Sequence, residues 1–128
     1  MSDTIHTCGP FCEKPACVAA RDRELLEAAA KAAGYETDMG RELEPRMHIR
    51  PTGSGYDQWR WWNPLTNSGD ALELAVKLWL EIRVFNGKSH AGRQGEFWYT
   101  EKGDDPYAAT RRAIVRAAAD LANQGTQA

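Results

Sequence analysis

Apolar and polar positions first fall into a helical period after Pro15. The stretch ACVAARDRELLEAAAKAAG is rich in helix formers, and Leu25, Ala28, Ala29, Ala32 and Ala33 form a weak stripe along it. Pro15 suits a first helical turn and Gly34 a stop. Residues 35–58 lose the period: Gly40, Pro45, Pro51, Gly53 and Gly55 interrupt them, which predicts an irregular linker with at most one short strand, at residues 46–50. Trp59-Arg60-Trp61-Trp62 then favours β structure and is closed by Asn63-Pro64. A polar turn through Asp70 ends in capping residues. It leads into a short helix over residues 70–79, where Leu72, Ala75, Val76 and Trp79 share one face and are expected to pack on something flat.

Residues 80–85 alternate apolar and charged, the pattern of a half-buried strand, and Asn86-Gly87 is a turn signal. Residues 96–100 read as the partner strand, with Gly87–Gly95 a mobile hairpin tip between them. Asp105-Pro106 places an N-cap and first-turn residue for a last helix, with Tyr107, Ile114, Val115, Ala118, Leu121 and Ala122 as its buried face. The pattern predicts an α+β fold, a small antiparallel sheet sandwiched by helices, with the tryptophans supplying much of the core. It divides the chain into a Cys-rich segment and helix (1–34), the linker (35–58), the sandwich (59–123) and a frayed tail (124–128).

Composition narrows the class without changing this layout. The chain has 128 residues, of which 42% are hydrophobic and 27% charged, so one folded domain is expected rather than a disordered tail or a membrane span. The start of the chain has no basic or apolar leader segment, and the expectation is a cytosolic protein without a signal peptide. A net charge of −2 argues against a protein whose main business is coating phosphate backbones, though a local basic face stays open.

The three cysteines change the picture more. An odd number cannot all pair within one chain, and a reducing compartment would hold them as thiols. His6, Cys8, Cys12 and Cys17 lie within one short run, on Gly-Pro and Lys-Pro turns that bring ligands together. Four nitrogen and sulfur ligands suit a closed, tetrahedral, structural zinc site. Cys17 falls in a first helical turn, where free N–H groups favour a thiolate. The competing reading is three reduced cysteines in an arm without metal. No Cys-x-x-Cys pair is present, which disfavours a redox role.

Elsewhere the chain holds no nucleophile-and-base arrangement. His48 and His90 read as surface residues. The Gly87–Gly95 loop has glycines, a lysine and an arginine, yet it lacks the order of a phosphate-binding P-loop. Arg111, Arg112 and Arg116 form a basic strip on the last helix or, more plainly, its solvated face. Trp59, Trp61 and Trp62 cannot all be buried by one side of a short strand, so an exposed indole near arginines is a candidate binding hot spot. Trp98 joins this set.

Two blocks of the sequence carry a resemblance. The run WNPLTNSGDALELAVKL, followed after a hairpin by DPYAATRRAIVRAAA, resembles the phage ABA sandwich domain family, whose members look like W/F-NPLxxxGDALxLAVKL and then DPxxATRRAIVRAAA. The match spans roughly residues 59–123. The Cys-rich start also resembles a leader on some small phage proteins. The family name implies an α/β/α-type sandwich in a phage setting, and no activity or catalytic residue comes with it.

On that resemblance, the leading expectation is a non-enzymatic phage accessory protein that occludes a host defence complex, as anti-CRISPR proteins do. Glu36, Asp38, Glu42 and Glu44 would then occupy a basic groove. A second reading is a small-ligand protein that sequesters a nucleotide between Trp98 or Trp79 and Arg111 or Arg112. A third is a zinc-dependent nucleic-acid binder, disfavoured by the net charge. An unprotected sheet edge leaves pairing with a second copy open.

Overall fold

The structure, a computed structural model, describes residues 15–39, 47–51, 60–93 and 98–126. The first helix, α1, spans Pro15–Ala32. It stops where the sequence places its glycine: Gly34 adopts φ +81 and donates its N–H to the Lys31 carbonyl at 3.0 Å.

The next three strands overturn the linker expectation. β1 (Tyr35–Met39), β2 (Met47–Pro51) and β3 (Arg60–Trp62) form an antiparallel meander, so residues 35–58 supply two strands rather than at most one. Glu36 stands opposite Arg50 in the register, and its carboxylate accepts from Arg50 Nε at 2.7 Å. Cross-strand partners of this kind stabilise a pair of strands whose separate sequences show little β preference.

Helix α2 (Ser68–Lys77) leads to a second meander of β4 (Glu81–Phe85), β5 (Lys88–Gly92) and β6 (Tyr99–Lys102), in the order β4-β5-β6. Here the expected hairpin tip is a central strand. Asn86-Gly87 makes the tight turn, with Gly87 at φ +89, and β4 pairs with residues 88–92 instead of 96–100. β5 carries Ser89 and Ala91 inward, both fully buried. Their small side chains let helix α3 (Pro106–Thr126) lie close on the sheet. α3 starts at the expected cap, where Asp105 accepts from Tyr107 N–H at 3.0 Å, and it continues to Thr126, into the stretch read as a frayed tail.

The result is an α+β fold with two small antiparallel sheets rather than one. α1 packs along β1, α3 packs on β4, β5 and β6, and α3 joins α1 to α2. One core runs through Leu26, Ala29 and Ala30 of α1, Ile49, Trp62, Leu74 of α2, Ala91, and Ala113, Val115 and Ala118 of α3. It is alanine-rich, which allows three helices to approach closely. Of the described tryptophans only Trp62 is fully buried, edge-on to Tyr35 at 5.8 Å between ring centroids, so the expectation of a tryptophan-filled core does not hold.

α2 buries only Ala75 of the four residues expected on its packed face. Ala71, Leu74 and Ala75 face the core, while Leu72, Val76 and Trp79 stand in solvent at 60%, 66% and 85% exposure. Tyr107 of α3 likewise lies outside, at 71%.

Candidate functional site

The segment between β3 and α2 is a hydrogen-bonded junction. Asn63 is buried, its side-chain oxygen accepts from Leu65 N–H at 3.0 Å, and its own N–H donates to Asp70 Oδ2 at 2.9 Å. Asn67 caps α2 by accepting from Asp70 N–H at 2.9 Å. A Cβ on Gly69 would stand 3.2 Å from the Asn67 side-chain oxygen, so glycine suits this cap. Arg60 reaches Asp70 at 3.4 Å and Glu73 at 2.8 Å, tying β3 to α2. Burial opposes the charge on Arg60, yet these two carboxylates outweigh it and hold the guanidinium above its ordinary value. From α3, Arg111 closes the junction by donating to the Leu65 carbonyl at 2.9 Å and Ser68 Oγ at 3.1 Å. Residues 62–78 and 105–119 therefore meet here, and their polar side chains build the turn.

Beside this junction lies an apolar groove of about 480 Å³, walled by Leu72 of α2, Ile82 and Val84 of β4, and Tyr107, Arg111 and Ile114 of α3. Leu72 and Val76, one turn apart on α2, are both exposed, and Trp79 is exposed just beyond the helix end. Val84 and Phe85 are exposed on β4 at 58% and 46%. Monomeric proteins seldom leave a contiguous apolar surface of this kind without a partner.

Trp79 is the unusual member. It follows α2 at φ +60, the left-handed position that glycine normally takes after a helix, while Leu80 N–H closes back onto the Ala75 carbonyl at 2.9 Å. A bulky side chain held there and almost fully exposed carries a conformational cost with no packing return within the chain.

The residues singled out from sequence are spread over several places. Trp61 is half exposed, and Trp62 is core. Trp98 lies under Arg83 at 5.0 Å on the outer face of the second sheet. Arg111 holds the α2 junction, Arg112 pairs with Asp22 of α1 at 2.9 Å, and Arg116 pairs with Glu101 while lying over the Tyr99 ring. The three arginines therefore bridge elements rather than forming one strip. Trp98 and Arg112 do not face a common pocket: one is stacked under Arg83 and the other is tied to α1. Glu36 pairs with Arg50. Trp59, Glu42, Glu44 and the side chains of His48 and Asp38 lie outside the described residues.

Of the residues read as candidate zinc ligands, His6, Cys8 and Cys12 also lie outside them. Cys17 is joined in a disulfide, a state that withholds its sulfur from a metal. Among the described residues no cluster of His, Cys, Asp or Glu is arranged to hold a metal ion.

A second cavity of about 690 Å³ between α1, α3 and β6 is lined by Arg21, Glu24, Arg112, Arg116, Glu101 and Asn123, among others, where arginine and carboxylate largely offset one another. Burial raises the Tyr99 hydroxyl, the hydrogen bond and charge of Asp120 raise it further, and Arg116 acts against them. Burial also raises Tyr35, with Arg60 pulling the other way. Both phenols move away from neutral pH, as packed hydroxyls do and proton-transfer groups do not. No described helix is long and apolar enough to cross a membrane.

Leu72, Val76 and Trp79 were expected in the core. The signal that places them outside is a second apolar stripe, Ala71, Leu74, Ala75 and Leu78, on the same short helix. Both cannot face one core.

Compared with protein-family models, with curated proteins and with solved structures, the chain matches none.

Proposed function

We propose that this chain is a non-catalytic binding protein that works by covering part of a partner protein, with the α2 stripe of Leu72, Val76 and Trp79 as its contact surface. The observation that carries the reading is Trp79, 85% exposed in a left-handed conformation at the end of a helix that leaves Leu72 and Val76 exposed as well. Tryptophan is the side chain most often found at the energetic centre of a protein interface. Burial by a partner of the parts of Leu72 and Val76 still exposed would contribute about 1–2 kcal/mol each before the costs of association. The resemblance of the two blocks to the phage ABA sandwich family supplies the setting, a phage accessory protein whose partner is a host defence complex.

Affinity capture from a bacterial host lysate tests this, with the wild type beside Trp79→Ala and Val76→Lys. A partner held by the wild type and lost from both folded variants is expected. A partner held equally by all three would sink the reading. We also propose that the reduced N-terminal arm holds zinc through His6, Cys8, Cys12 and Cys17. Metal analysis under reducing conditions should give about one zinc per chain, lost on oxidation. Zinc content near zero in reduced, metal-replete protein would exclude it.

A further inference from the structure

We infer that the edge of β4, which no strand among the described residues pairs, joins antiparallel with β4 of a second copy, with Ile82 opposite Ile82, so that two second sheets form one continuous six-stranded sheet. This goes beyond the partner surface proposed above, because it concerns the backbone edge of β4, and of that surface only Leu72 lines the groove beside β4.

β4 lies at one edge of its sheet, and every residue in it except the half-buried Ile82 is exposed. An open strand edge of this kind offers unpaired N–H and carbonyl groups to another strand. Side chains alternate along it. Ile82 and Val84 face inward over the apolar groove. Glu81, Arg83 and Phe85 face outward, where Arg83 lies over Trp98 and Phe85 meets the His90 ring at 5.2 Å.

The outward residues select the occupant and its register. A two-fold antiparallel pairing that keeps like faces together has three centres within the strand. Centred on Arg83, it would set Arg83 against Arg83 and Glu81 against Phe85. Centred on Val84, it would set Arg83 against Phe85 and leave Glu81 opposite Gly87 at the hairpin turn. Centred on Ile82, it sets each Glu81 opposite the Arg83 of the second copy, which gives two opposite-charge cross-strand pairs. Among the described residues Glu81 has no ion pair within its own chain, and Arg83 has the Trp98 ring as its partner. On the inner side, Ile82 meets Ile82, and the second copy's Val84 comes to the side of β4 on which the groove opens. The strand is thus complementary to itself in charge on one face and in apolar character on the other. That is the requirement for a closed two-fold interface.

Sedimentation equilibrium of the full chain across a micromolar to sub-millimolar range tests the pairing. The wild type is expected at twice the monomer mass. Glu81→Arg or Arg83→Glu alone should weaken the dimer by roughly tenfold or more, because each removes both charge pairs and opposes like charges. The exchanged variant Glu81→Arg with Arg83→Glu should restore it, since the pairs re-form with signs reversed. Val76→Lys, on α2 and outside this register, should leave the dimer intact, which separates this inference from the partner reading. A wild type that is monomeric throughout overturns the inference. So does an exchanged variant that stays monomeric while its circular dichroism and melting match the wild type.

Discussion

Trp79 sits at φ +60 immediately after α2, and its indole is almost wholly in solvent. For an L-residue with a Cβ the left-handed region costs about 1 kcal/mol or more relative to glycine. A side chain 85% exposed recovers little of that within the chain. Trp79→Gly should therefore raise the unfolding free energy by about 0.5–1 kcal/mol, read from urea melts, while abolishing capture of the partner. Stabilisation together with lost binding identifies a residue kept for contact at the expense of the fold. A loss of stability would instead mean that the indole packs and that its conformation is repaid locally.

The junction between β3 and α2 behaves as one element, and Asp70 is its hinge pin. Its carboxylate accepts from the N–H of the buried Asn63 and pairs with Arg60, while its own N–H satisfies the Asn67 cap. Asp70→Ala leaves the Asn63 N–H without its partner, an expected cost of about 2 kcal/mol. Asp70→Asn keeps one acceptor oxygen and should lose less. Equal losses in denaturant melts would show that the N–H to carboxylate bond is not what holds the turn. The caps were legible because their chemistry is local: Asn67, Asp105 and Gly34 act within a few residues of their own positions in the chain, whereas the Arg60 and Arg111 bonds that tie the junction together come from distant positions. β5 was not legible. Lys-Ser-His-Ala-Gly contains no β-branched or aromatic residue, and it becomes a strand because β4 and β6 pair on either side and α3 covers it. The side that α2 buries was hidden for a related reason. Two apolar stripes share one short helix and meet at Ala75: the expected one, Leu72-Ala75-Val76-Trp79, has the larger side chains, whereas the one that is buried, Ala71-Leu74-Ala75, lets α3 approach. The candidate surface was therefore visible in sequence only as an excess of apolar positions over what one core can bury.

The core is continuous across the whole molecule, which bears on how the chain unfolds. Leu26 of α1 is fully buried in the same cluster as Trp62 of the first sheet, Leu74 of α2, Ala91 of the second sheet and Val115 of α3. Among the described residues no layer has a core of its own: the alanine faces of α1 and α3 bury one another, α1 packs on the first sheet and α3 on the second. A helix, linker and sandwich that folded separately would unfold in separate steps. A shared core predicts one transition. Leu26→Ala removes a side chain that only α1 contributes, at an expected cost of about 2–5 kcal/mol. Because the cluster is shared, that cost should fall equally on every probe. Tryptophan fluorescence, which samples Trp62 against Tyr35 and Trp98 on the far sheet, and far-ultraviolet circular dichroism, which samples the helices, should show denaturant midpoints lowered by the same amount. If the dichroism midpoint falls while the fluorescence midpoint stays, α1 unfolds from a sandwich that stands without it, and the cooperative core is limited to the segment after residue 59.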